Sequence, residues 1–314
     1  MNRLGAALLW VFLGVAALAP SLANDKPLLA RVGGAWRVPA LAETVGLDPG
    51  PAPAETWKVW WAELPDEGPD FAVFPPWPHG PRAGDPARIR ALPHAAHPLG
   101  TDDTGRDVLA RLVHGARTAL LVGVCAAGLA LLLGVPLGLV AGYRGGVADA
   151  LVLRAVELVL CFPALLLVLA VAAFAGGSFA ALVVTLGALS WTGFARIVRA
   201  ETLALREREF VLTARGLGLG AVRVLRAHVL PQLRGAVATT FAFVAAEAVV
   251  VEAALSFLGL GPGLRGVSWG GLLAQGKAHA HEGAWHLWAF PGMALALLLV
   301  TLQARADRRA RTAG

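Results

Sequence analysis

Residues 196–234 read RIVRAETLALREREFVLTARGLGLGAVRVLRAHVLPQLR, a polar, arginine-rich stretch lodged between the apolar segments Phe179–Val198 and Ala236–Leu258. Eight arginines in so short a stretch cannot lie in hydrocarbon, so the chain leaves the bilayer here and returns. Composition agrees. Hydrophobic residues make up 57% and charged residues 15% of the chain, and the mean hydropathy of +0.64 is too apolar for a soluble domain. The net charge of +6 is therefore read through topology, as basic cytoplasmic loops rather than nucleic-acid binding. Cys125 and Cys161 both lie in apolar runs, which gives neither a disulfide framework nor zinc-type spacing.

About 20 apolar residues cross a bilayer core. Leu4–Ala23, Thr118–Gly142, Ala150–Ala175, Phe179–Val198, Ala236–Leu258 and Trp285–Leu302 meet or approach that length, giving six candidate helices. Arginine sets their orientation. With the amino terminus inside, the inner segments hold Arg3, Arg144, the eight arginines of 196–234, and Arg305, Arg308, Arg309 and Arg311. The short outer loops hold only Arg265 and Lys277. Both termini are thus expected on the cytoplasmic side. Four parts follow: residues 1–23 as a first transmembrane helix or signal-like segment, an outer insertion 24–117, a core 118–304 containing the polar loop 196–234, and a basic tail 305–314. Arg3, the apolar run and the small residues Ser21 and Ala23 suit either a signal with a cleavage site or a retained helix.

Within the polar stretch, Leu203, Phe210, Ala214 and Leu217 recur at helical spacing, with arginines on other faces. Gly216, Gly218 and Gly220 then allow a sharp change of direction. A second helix fits Ala221–Leu230, with Val222, Leu225 and Val229 on one side, and Pro231 stops it. The spacing predicts a compact knob of two helices about a glycine elbow; by itself this suits a docking element and an arginine-held loop on lipid headgroups equally well.

The stretch Phe210–Gly218, followed by His228-Val-Leu-Pro231, resembles the EAA loop of ATP-binding-cassette importer permeases. That resemblance implies a coupling helix seated in a groove of a cytoplasmic ATP-binding subunit, carried here by Leu212, Thr213, Ala214, Arg215, Leu217, Gly218, Leu230 and Pro231. Thr213 replaces an alanine of the family pattern, and Leu212 stands where the family usually has glutamate. His97–Arg117, the set Arg154, Glu157, Phe162 and Pro163, and Glu252 with Ser256–Gly261 and Ser268–Gly270 are similar to further segments of the oligopeptide and dipeptide permeases. The outer stretches Asn24–Leu29, Trp36–Leu41 and Phe71–Pro78 look like the extended periplasmic region of the microcin C and oligopeptide group.

The resemblance implies an all-α, type I importer permease fold with about six transmembrane helices and an irregular periplasmic insertion, in which Trp57, Trp60, Trp61, Phe74 and Trp77 supply a packed cluster. It implies a subunit of the bacterial inner membrane that passes short peptides or peptide-like compounds, with ATP hydrolysed elsewhere. The partners implied are cytoplasmic ATP-binding subunits, a second homologous permease, a periplasmic substrate-binding protein and membrane lipid. The insertion is read as bracing the partner permease or docking the binding protein. No cofactor and no nucleic acid is expected.

Gly271–Ala278 nearly matches a phosphate-binding loop, but Ala278 lacks the hydroxyl that would hold Mg²⁺. His279, His281, Glu282 and His286 have metal-like composition, which keeps a nickel or metal-chelate importer as an alternative. A secondary transporter would show repeated halves, and none is evident. No nucleophile and base form a recognisable catalytic set. Arg154 and Glu157, at i and i+3, suit a structural pair. Glu247 and Glu252 are candidates for the translocation pathway, yet a five-residue separation puts them about 140° apart around a helix, on different faces.

Overall fold

The computed structural model describes residues 2–32, 35–45, 57, 71–261 and 267–312. Trp60, Trp61, Arg265 and the side chains of the basic tail lie outside the described residues. The chain is built of helices α1 (Asn2–Leu22), α2 (Pro39–Val45), α3 (Val108–Arg144), α4 (Gly146–Leu160), α5 (Ala164–Phe174), α6 (Phe179–Arg206), α7 (Glu209–Gly216), α8 (Ala221–Val224), α9 (Arg234–Phe257), α10 (Trp269–Ala278) and α11 (His286–Thr312). Between α1 and α3 lie three short strands, β1 (Leu29–Val32), β2 (Ala35–Arg37) and β3 (Phe71–Val73). They form an antiparallel sheet in the order β2-β1-β3, with Ala30 opposite Arg37 on one side and Ala72 on the other.

Among the described residues four helices, α3, α6, α9 and α11 as far as Ala304, are long and apolar enough to cross a membrane. The first helix, α1, runs Asn2–Leu22, close to the expected Leu4–Ala23. One of the six expected spans needs correction. The candidate Ala150–Ala175 is not one rod: α4 and α5 meet at a 69° bend, and they make a fifth span only if the bent pair counts as one. Pro163 causes the break, because it has no amide hydrogen to give the preceding turn and its ring clashes with it.

Contacts divide the chain into two compact units. One comprises Met1–Leu8, Leu121–Leu255 and Leu298–Gly314. Its tightest packing is a glycine ladder. Gly134, Gly138 and Gly142 recur every four residues along α3, so they share one face, and that face lies directly on the backbone of α6. A Cβ at these positions would come within 2.4 Å of the Trp191 carbonyl oxygen, 2.7 Å of that of Ala195 and 2.7 Å of that of Arg199. Only glycine allows so close an approach, the arrangement by which membrane helices gain van der Waals contact when lipid offers no hydrophobic drive. At one end of the ladder the Arg199 guanidinium grips both carboxylate oxygens of Asp149 on α4, with Nη2 to Oδ2 at 2.6 Å. Arg206 donates to the Gly142 carbonyl at 3.2 Å.

The second unit comprises Leu9–Leu120 and Ser256–Leu297. Its centre is polar and buried. Asp102, fully buried, accepts from the Thr104 amide, the Thr104 hydroxyl and the Arg106 amide through Oδ1, and from the Arg106 and Arg111 guanidiniums through Oδ2. Asp107 accepts from the Trp77 indole and the Ala110 amide through Oδ1, capping the start of α3. Its Oδ2 faces His97 Nδ1 at 2.7 Å. Nearby, His286 donates from Nε2 to the Thr101 carbonyl at 2.9 Å, and the Trp269 indole donates to the Leu112 carbonyl at 2.8 Å. The Thr-Asp-Asp-Thr-Gly-Arg-Asp run of 101–107 is therefore a folded hub. Its buried acids are satisfied by design of the loop, as low dielectric demands.

Two outcomes follow from this packing. Gly138→Ala should destabilise the solubilised protein by about 1–3 kcal/mol, although alanine is the better helix former. Gly128→Ala, on the same helix with nothing within 4 Å, should be neutral or mildly stabilising. Equal melting temperatures for the two variants would remove the ladder from its place in the fold. In the hub, burial alone would push the Asp102 carboxyl up, but the charge of Arg111, the Thr104 and Arg106 amides and the Arg106 charge outweigh it and hold the carboxyl below its usual value. A depressed folded-state value means stability that is present at neutral pH and lost as pH falls through that value. Amide exchange protection of residues 100–107, corrected for intrinsic rate, should persist down to about pH 4 and fall below it. Asp102→Asn should already lack that protection at pH 7.

Candidate functional site

The polar stretch folds as an elbow between α6 and α9. α6 ends at Arg206, and Arg208, with φ −75° and ψ 145°, interrupts the helix before α7 begins at Glu209. Glu209 in the first turn of α7 and Arg215 in its last oppose the helix dipole favourably. Gly218 follows with φ +79°, and nothing lies within 4 Å of where its Cβ would be. The backbone conformation alone therefore demands glycine there. α8 then widens into a π-turn over Leu225–Val229, closed by Leu230 N donating to the Leu225 carbonyl at 2.8 Å. Pro231 comes next, and the chain turns into α9.

The inner side of the elbow is apolar and fully packed. Val211, Ala214, Val224, Val229 and Leu233 join one cluster with Ala127, Val135, Phe194, Val198 and Val244. Val224 and Val229 are five residues apart, which in a regular α-helix would put them on different faces. The π-turn brings both inward. On the outer side Leu212, Thr213, Arg215, Leu217, Gly218 and Leu230 are exposed, Leu217 at 78%, and Pro231 is half-buried. Residues 217–223 with Arg226 and Ala227 line an open concavity of about 750 Å³, Val222 and Arg223 among them. Arg215 lies over the Tyr143 ring, 5.8 Å from its centroid.

Two expectations from periodicity and one from the resemblance are corrected. Leu203, Phe210, Ala214 and Leu217 do not form one apolar face, because the interruption at 207–208 resets the helical register; Val211 and Ala214 point inward, while Phe210 and Leu217 point out. Ala214, assigned to the docking surface, is buried in the core. Val222, grouped with Leu225 and Val229, is 65% exposed. The anchoring residues Val211, Val224 and Leu233 had been missed. An extended Arg208 before an acidic first turn is the signal that would have found the first of them.

The remaining candidates scatter. Arg154 Nη1 meets Glu157 Oε2 at 2.7 Å on the surface of α4, with the side chains 80% and 58% exposed. Glu247 is exposed on α9 in a stripe with Phe243 and Val250, whereas Glu252 is buried, so the two carboxylates do face apart. Gly271–Ala278 lies in helix α10, capped by Ser268, and forms no loop. His279 meets Glu282 at 3.1 Å, both contact Arg90, and His286 is held on Thr101. Among the described residues no three His, Cys, Asp or Glu side chains are grouped to hold one ion.

Comparison with known proteins gives a consistent picture. Residues 134–312 match the family described as binding-protein-dependent transport system inner membrane component. A Brucella suis protein provisionally named a peptide permease is 37% identical over 237 residues, 74% of this chain and 78% of its own. The dipeptide transport system permease protein DppC of Bacillus subtilis is 36% identical over 215 residues, 68% of this chain and 67% of its own. The inward-facing MetNI methionine ABC transporter superposes with a TM-score of 0.51 at 19% identity, covering 65% of this chain and 96% of that one. That likeness is one of fold.

The elbow's two sides should respond differently to charge. Ala214→Glu places a carboxylate in the apolar cluster, at a cost of several kcal/mol, and limited proteolysis in detergent should cut between 207 and 220 at least about tenfold faster. Leu217→Glu should be cut at the wild-type rate. Indistinguishable digestion of the two would contradict the burial of Ala214.

Proposed function

The chain belongs to the family of binding-protein-dependent transport system inner membrane components, the membrane permease subunits of ATP-driven importers, and on that premise we propose that it passes short peptides or peptide-like compounds across the bacterial inner membrane. The names of the relatives from Brucella suis and Bacillus subtilis support that cargo. Both termini face the cytoplasm on this reading, with the arginine-rich elbow, in keeping with the positive-inside rule. ATP is hydrolysed on separate cytoplasmic subunits.

One observation carries the reading: an elbow fastened from inside by Val211, Ala214, Val224 and Val229 that leaves Leu212, Leu217 and Val222 uncovered. Leu212, Thr213, Arg215, Leu217, Gly218 and Leu230 form the surface that enters the ATP-binding subunit, while Ala214 and Pro231 shape it. Closure of the ATP-binding subunits moves the elbow, and the rigid helices fused to it carry the motion to the pathway, giving alternating access. A second homologous permease completes the pathway. The exposed Arg154–Glu157 pair supports this, since lipid would charge each ion a few kcal/mol that a protein or water-lined partner face would not. Glu247 lines the pathway and meets the peptide ammonium group. A binding protein delivers cargo to the outer region, which also braces the paired permease.

Reconstitution into vesicles with the copurifying ATP-binding subunits tests the assignment. Leu217→Asp and Gly218→Val should insert normally and lose at least about tenfold of ATP-driven dipeptide uptake, a loss of the size expected when a buried contact is removed. Full coupled uptake by both would overturn the docking role. Glu247→Gln should slow peptides with a free amino terminus more than acetylated ones; equal slowing would remove Glu247 from the pathway.

A further inference from the structure

The elbow's outer side carries a charge imbalance that the fold itself does not neutralise. Of its arginines, Arg206 holds Glu207 and the Gly142 carbonyl, Arg215 covers Tyr143, Arg234 donates to the Pro231 carbonyl at 2.8 Å, and Arg208 is exposed but lies outside the concavity. Arg223 and Arg226 are different. They are exposed, stand three residues apart, and line the same concavity as Leu217 and Val222. That concavity has no carboxylate in its wall, and neither arginine meets an acid among the described residues.

We infer that the groove receiving the elbow pairs an apolar floor, which covers Leu217 and Val222, with a rim of carboxylates placed against Arg223 and Arg226. This rests on the docking reading above and adds the chemistry of the partner: an acidic protein surface on the ATP-binding subunit. Anionic lipid is the competing occupant, and the length of α6 argues against it. At 1.5 Å per residue its 28 residues span about 42 Å, against about 30 Å of hydrocarbon. The last turns of α6, with Arg199, Glu201 and Arg206, therefore reach the headgroup level; the elbow's inner side folds back onto Phe194 and Val198, and Leu217 and Val222 lie on its opposite, exposed side. Leu217 and Val222, the most exposed apolar side chains of the elbow, then face water together with the two arginines, which suits a protein groove and not an acyl layer. Oppositely charged rims steer such docking and make it salt-dependent.

The test is binding of the copurifying ATP-binding subunit to the full-length permease complex in nanodiscs, made once with neutral lipid and once with added phosphatidylglycerol. Arg223→Glu with Arg226→Glu should weaken binding at least about tenfold in both lipids, and raising salt should shrink the difference from wild type. Arg223→Lys with Arg226→Lys should stay within about threefold. Should the reversal variant fail to accumulate, Arg223→Gln with Arg226→Gln, which only removes charge, should still bind about threefold or more weakly. Unchanged binding by the charge variants, with Leu217→Asp defective, overturns the acidic rim and leaves the docking reading standing. Normal binding by Leu217→Asp as well overturns both. A defect seen only with phosphatidylglycerol assigns the arginines to lipid and also overturns the proposal.

Discussion

The approach of α3 to α6 along Gly134, Gly138 and Gly142 governs the packing of the first unit. In a bilayer, apolar side chains gain nothing by leaving lipid for protein, so helices stay together only where their surfaces fit closely. Three glycines one turn apart let the backbone of α6 lie against α3, and the next elements inherit that position. Val156 of α4 packs on Trp191 and Ala195 of α6, next to the ladder, and Asp149 ties the start of α4 to Arg199. The elbow packs on Val135, Phe194 and Val198 of the same two helices. A force on the elbow is therefore delivered to a close-packed pair that has little room to absorb it.

The second unit solves another problem, how to place acids in a dry interior. Asp102 and Asp107 are both buried, yet each spends its oxygens on amides, guanidiniums or rings supplied by the same loop, by Trp77 and by the first turn of α3. Removing one partner would strand a buried charge, which costs far more than the net gain from making the bond. The run of small and charged residues at 100–107 is accordingly a structural device, whose polar residues hold the loop and cap α3.

Much of this was legible in the sequence. Long apolar runs marked the spans, arginine marked the elbow, and Gly218 and Pro231 marked its turn and its end. What escaped reading depended on local departures from the ideal helix. Periodicity assumes an unbroken register, and the interruption at Arg208 and the π-turn at Leu225–Val229 each shift it, so Phe210 and Leu217 do not share a face with Ala214, Val222 does not share one with Val229, and the anchors Val211 and Val224 stand outside the pattern. The bend at Pro163 was hidden because apolar residues continue on both sides of it. Glu247 and Glu252 were separated correctly because α9 is regular over that stretch and simple geometry holds.

The elbow divides its residues between shape and recognition. Inward positions are fixed by packing, so the outer ones are free to answer to a partner. Leu212 stands exposed where the resemblance leads one to expect glutamate, and its apolar side chain shifts the balance of forces at that surface. An exposed ion pair is worth about 0–1 kcal/mol, whereas full burial of a leucine or valine contributes about 1.5–3 kcal/mol. Three such side chains, Leu212, Leu217 and Val222, can therefore supply most of the affinity in the proposed dock. The arginines beside them would contribute mainly orientation and rate of encounter, since charge acts over a distance at which apolar surfaces exert no pull.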